Sequence, residues 1–148
     1  MPGPAATVHA TAVLVDAKAV LIRGASGAGK SRLALGLIDA AGPAGPRFAR
    51  LIADDRVLLE AAGGRLIVRA PLPIAGLVEQ RGRGVVSRAH EAVAVVGLIV
   101  DLDAADAARM PDGPALETVV EGVTVSRLPV ASGCDPLPLV LSLLKERR

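Results

Sequence analysis

The chain has 148 residues, a net charge of +2 and 51% hydrophobic residues, yet only 1% are aromatic, and Phe48 is the one aromatic side chain. The core must therefore be aliphatic, and a nucleic-acid reader that stacks bases on aromatic rings is excluded. The basic residues are spread among 15 acids and leave no polyanion-binding face.

The length fits one domain over residues 1–148. Residues 1–6 hold two prolines and a glycine and read as a loose tail without the basic start of a signal peptide. Residues 7–15 read as a strand, 16–18 as a tight connection and 19–23 as a second strand, together a hairpin. Residues 31–41 read as a helix, with Leu33, Leu37 and Ile38 on one face. Gly42 to Pro46 ends it. A short strand at 48–53 delivers Asp54 and Asp55. Segments 57–61 and 65–70 flank Gly63-Gly64, a two-residue hairpin signal. Residues 74–78 are a short apolar segment of open type, and 79–84 a charged, glycine-punctuated loop. Residues 93–100 form the most apolar strand, 116–120 and 123–128 two more, 129–138 an irregular stretch and 139–148 a terminal helix. No segment reaches the roughly 18 apolar residues of a transmembrane helix. Cys134 is the only cysteine, so no intramolecular disulfide forms, which suits a reducing cytoplasm.

Gly24-Ala25-Ser26-Gly27-Ala28-Gly29-Lys30-Ser31 fits G-x-x-x-x-G-K-[ST] between a strand and a helix, the setting a phosphate-binding loop requires. Glycines let backbone N–H groups turn toward a phosphate, and the helix adds its positive end. Lys30 supplies a point charge for the outer phosphates, and the Ser31 hydroxyl can hold Mg²⁺. Asp54-Asp55 at a strand end offers one carboxylate for the metal and one to take a proton from an incoming hydroxyl, with either assignment open. Asp101 also closes an apolar strand and competes for the metal role. Glu79 and Arg81 can complete metal coordination and neutralise transferred charge. His9 becomes a proton relay if a carboxylate partners it.

Together these pieces resemble the HPr kinase/phosphorylases. The likeness is carried by His9 ahead of the loop, Gly24 to Ser31 with Ser26 in place, Ala53-Asp54-Asp55, and Glu79-x-Arg81-Gly82-x-Gly84 followed by apolar residues. It runs from His9 to about Val130 and is nearest the short proteobacterial form without the N-terminal domain. The resemblance implies a P-loop-containing, β-rich α/β core similar to phosphoenolpyruvate carboxykinase. It implies transfer of the ATP γ-phosphoryl group to a serine of the phosphocarrier protein HPr with Mg²⁺, reversal by inorganic phosphate, a role in regulating the phosphotransferase system and a hexameric assembly. His9, Lys30, Asp54, Asp55 and Arg81 are then the catalytic candidates, residues 24–31 hold nucleotide, and Ser31, Asp55 and Glu79 are the metal candidates, which decides against Asp101. One departure stands out: Cys134 occupies the place where longer members carry arginine, leaving Arg127 and Arg81 to compensate. The same residues also suit a kinase with another acceptor or an ATP-sensing regulator without turnover.

Overall fold

Asp16 turns the chain at the start of the fold. Its backbone is left-handed (φ 53°), and its carboxylate accepts the N–H groups of Arg47 and Phe48. This joins strand β1 (Ala10–Val15) to β2 (Lys18–Arg23) in the expected antiparallel hairpin, with Val15 opposite Lys18 and Ala10 opposite Arg23. The computed structural model describes residues 7–147, so the tail read over 1–6 lies outside the described residues.

Helix α1 (Lys30–Ala40) follows β2. Strand β3 (Ala49–Ala53) returns antiparallel along the outer edge of β1. The β4 (Leu58–Ala62) and β5 (Arg65–Arg69) hairpin closes through Gly63 and Gly64, both left-handed as such a two-residue turn requires. Next come β6 (Leu77–Gln80), β7 (Gly84–Ser87), the long β8 (Val93–Asp101), β9 (Glu117–Val120), β10 (Val123–Pro129) and helix α2 (Pro136–Glu146). The main sheet has eight strands along the order β3-β1-β2-β8-β10-β9, with β4–β5 attached through β5 to β8. Strand β8 is its spine. Its first residues pair antiparallel with β5, and its last pair parallel with both β2 and β10.

Both faces of this sheet are covered, because successive strand residues point to opposite sides. Val13, Val20, Ile22, Leu98 and Val100 pack against Leu33 and Leu37 of α1 and Val140 of α2. On the other face Ala12, Leu21 and Ile99 meet Ile52, Leu66 and Val68 beneath the curled β4–β5 hairpin. Each fully buried Leu or Ile contributes about 1.5–3 kcal/mol, which suffices without Trp or Tyr.

Two segments differ from the sequence reading. Residues 79–84 belong to a separate β6–β7 hairpin and not to a free loop, with 81–83 as its turn: Val78 is buried, Gly82 supplies a left-handed residue (φ 88°) and Arg83 N–H bonds Gln80 O. Helix α2 begins inside the stretch read as irregular, at Pro136, with the Asp135 carboxylate accepting the Leu137 N–H. Proline needs no N–H at a first helical position, so Asp135-Pro136 starts the helix. Among the described residues no helix is long and apolar enough to cross a membrane.

Candidate active site

The loop of residues 24–29 connects the end of β2 to the start of α1, and its shape follows from its glycines. Gly27 (φ 83°) and Gly29 (φ 102°) are left-handed, where a Cβ would be strained. Space at Gly24 is tight: a Cβ there would lie 3.1 Å from Ala28 Cβ and 3.2 Å from Leu102 Cβ. Helix α1 has neither a side-chain cap nor an acid in its first turn, so its positive end is directed to the loop uncompensated. Ala25, Ser26 and Gly27 are exposed, whereas Lys30 is buried, its Nζ donating to the carbonyls of Gly24 (2.9 Å) and Ala25 (3.2 Å). A cation, glycine N–H groups and a helix N-terminus converge here, and this donor set fits the phosphates of a nucleotide.

The aspartate pair lies beside this loop, and its two carboxylates have different partners. Asp54 is only 8% exposed. Its Oδ1 accepts the hydroxyls of Ser31 (2.6 Å) and Thr11 (2.9 Å), and its Oδ2 accepts the Glu79 N–H (2.9 Å). Asp55 is exposed and left-handed (φ 68°), and its Oδ1 meets His9 Nε2 at 2.5 Å. His9 and Asp55 thus form the dyad that the lone histidine needed. Asp54, and not Asp55, is the carboxylate touching Ser31. The Ser31 hydroxyl gives its one proton to Asp54, which leaves its lone pairs for a cation, so the residues present fit Mg²⁺.

The remaining candidates are less closely drawn together. Glu79 reaches Asp54 through its backbone, while its own side chain is exposed. Arg81 sits exposed in the β6–β7 turn and makes no ion pair among the described residues. No group of three or more His, Cys, Asp or Glu side chains is gathered for a metal among the described residues. Cys134 is exposed in the turn after β10.

Asp101 is occupied elsewhere. Arg23 reaches it through Nε (2.6 Å) and Nη2 (2.8 Å), and Arg127 through Nε (2.6 Å). Burial pushes the Asp101 carboxyl up, but the hydrogen bonds and charges of the two arginines outweigh it and hold the group below the usual carboxylate range. Arg127 also grips Asp106 through two nitrogens, and those bonds hold that carboxyl low as well. Asp101 is thus a structural anchor for Arg23, the residue before Gly24. Arg127 is committed to Asp101 and Asp106 and is therefore not free for the compensating role expected of it or of Arg81.

Sequence reasoning missed Thr11. It is wholly buried, donates to Asp54 and accepts the Asp55 N–H at 3.0 Å. The signal was a single hydroxyl in an apolar strand, two residues after His9 and so on the same side of an extended chain.

Residues 3–111 match the family model described as the HPr Serine kinase C-terminal domain. A protein of Exiguobacterium named HPr kinase/phosphorylase is 33% identical over 138 residues, covering 86% of this chain and 41% of that protein. One of Clostridium beijerinckii with the same name is 39% identical over 83 residues, covering 56% of this chain and 25% of that protein. The matched region thus spans well under half the length of these curated relatives. Among solved structures, the Hpr(Ser) kinase/phosphatase of Coxiella burnetii superposes with a TM-score of 0.76 at 26% identity, over 97% of this chain and 96% of that one. The β-rich α/β core expected from sequence is therefore the fold of this protein, and the chain belongs to the HPr serine kinase C-terminal domain family.

Proposed function

We propose that the protein is a Mg²⁺- and ATP-dependent serine kinase whose acceptor is the phosphocarrier protein HPr. The observation that carries this reading is the 2.6 Å bond between Ser31 and Asp54, which draws the strand-end aspartates to the phosphate loop. Residues 24–31 bind the nucleotide phosphates, and Lys30 leaves its loop carbonyls to neutralise charge on the outer ones. Ser31 and Asp54 hold the cation, with Glu79 at its border. Mg²⁺ supplies charge neutralisation at the phosphates. Asp55, oriented by His9, takes the proton of the incoming seryl hydroxyl as its oxygen bonds the γ-phosphorus and the bond to ADP breaks. Arg81, exposed in the β6–β7 turn two residues after Glu79, contacts transferred phosphoryl or acceptor. In the reverse direction inorganic phosphate attacks the phosphoserine, Asp55 returns the proton to the seryl oxygen and pyrophosphate leaves. Cytoplasmic location and self-association into the hexamer implied by the family resemblance belong to the same proposal, and light scattering tests the latter.

The deciding experiment incubates purified protein with HPr, Mg²⁺ and γ-labelled ATP and locates the label by mass spectrometry. Label on one HPr serine is the expected result. ADP formation with no label on HPr moves the acceptor elsewhere, and ATP binding with no turnover makes the protein a nucleotide sensor.

A further inference from the structure

Thr11 has no exposed surface, yet it stands in a strand that is otherwise wholly apolar. The register of β1 against β3 explains its position. Val13 faces Leu51, but Ala12 faces Ala53, so Ile52 is an extra residue on β3. Such a bulge re-aims the strand beyond it. Without it Asp54 would fall beside Ala10, whereas the shift brings it beside Thr11. A threonine hydroxyl has one proton to give and lone pairs to accept with. It gives the proton to Asp54 Oδ1 at 2.9 Å and accepts the Asp55 N–H at 3.0 Å. The second contact is to the residue whose backbone is left-handed, a conformation that is strained for a residue with a Cβ. That turn breaks the strand's alternation and carries the Asp55 carboxylate to His9.

We infer that Thr11 is a positioning residue: its hydroxyl holds Asp54 against Ser31 and locks the left-handed turn that aims Asp55 at His9. One buried oxygen thereby sets the spacing between the cation-side carboxylate and the proton-accepting one. The catalytic consequence rests on the phosphoryl-transfer reading above, but the aim of Asp55 at His9 can be measured without it.

Thr11→Val keeps the side-chain shape and removes the hydroxyl. Asp54 retains Ser31 and the Glu79 N–H, while the Asp55 N–H loses its acceptor. The expected result is a kcat lower by roughly 10- to 100-fold, the scale of a hydrogen bond to a charged group, with KM for ATP within about twofold. Thr11→Ser restores most of the rate. The chain has two histidines, so the ring signals of His9 and His90 are separable by NMR. At one fixed pH those of His9 move in Thr11→Val and return in Thr11→Ser, while those of His90 stay. An unchanged kcat in Thr11→Val, a Thr11→Ser rate as low as that of Thr11→Val, or unmoved His9 signals overturns the inference. If the wild type transfers no phosphate to HPr, the kinase reading fails separately and the histidine spectra alone decide the role of Thr11. If Thr11→Val does not fold, Thr11→Ala serves as the hydroxyl-free variant with the same readouts.

Discussion

Replacing Asp101 by Asn removes the charge that two arginines share while leaving the side-chain volume intact. Three short charge-assisted bonds of 2.6–2.8 Å converge on this carboxylate, whose side chain is 15% exposed. Breaking a buried pair by removing one partner costs about 3–5 kcal/mol. Arg23 is half-buried and can turn to water, and Arg127 keeps Asp106, so the expected loss is smaller, about 2 kcal/mol. For a chain of this size that lowers Tm by about 4–8 °C. With no Trp or Tyr, unfolding is followed by far-UV circular dichroism in urea. Acid gives a second reading. Asp101 holds its proton less readily in the folded state than at the ordinary value of 3.8. Its stabilisation is therefore complete above that value and fades as pH falls through the lower folded one. The stability gap between wild type and Asp101→Asn is full at neutral pH and closes as pH falls below 3.8. A gap under about 0.5 kcal/mol at pH 7, the level of an ordinary surface change, or one that does not depend on pH, refutes the clamp.

Lys30→Ala lowers turnover on HPr at least about 10²-fold, the scale of one lost transition-state charge donor; a near wild-type rate in the same labelled-ATP assay would place catalysis elsewhere. Asp55→Asn lowers kcat by about 10²–10⁴-fold, the range for general-base loss, and His9→Gln by less; equal binding of ATP by both variants in calorimetry separates proton transfer from nucleotide affinity. Gly24→Val drives its side chain into Ala28 and Leu102 and weakens ATP binding by at least about 10-fold, since misplacement near 1 Å carries costs of up to 10²; unchanged affinity would mean that the loop tolerates bulk there.

The features written in contiguous residues were legible before the structure. Residues 24–31 carry the phosphate-loop pattern between a strand and a helix, because glycine spacing and a following lysine are local requirements, and Gly63-Gly64 declares a hairpin for the same reason. Asp54-Asp55 announced two carboxylates, but not which partner each would meet. That division depends on a bulge at Ile52 and on one left-handed residue, and neither leaves a mark in the sequence. Asp101 could not be separated from a metal ligand by inspection, because its arginines lie 78 and 26 residues away. The family resemblance set it aside without a physical reason; in the structure both of its oxygens are taken by arginines. The β6–β7 hairpin was obscured by its glycines and charges, since a short exposed hairpin turn and a loop have the same composition. Helix α2 starts three residues before the expected 139 because Pro136 stands at a first helical position, where its missing N–H costs nothing.

The arrangement of β8 also bears on how the protein comes to be made. The strand leading into the glycine loop of residues 24–29 is seated against β8, Leu102 N–H bonds Arg23 O at 2.9 Å, and Asp101 grips the Arg23 side chain. On the ribosome the glycine loop is made before the partner that holds its base, which lies 78 residues further along. Pairings of such sequence separation form late because loop closure must come first. The glycine loop is therefore made well before its base is in place, and it is seated only when the spine strand docks.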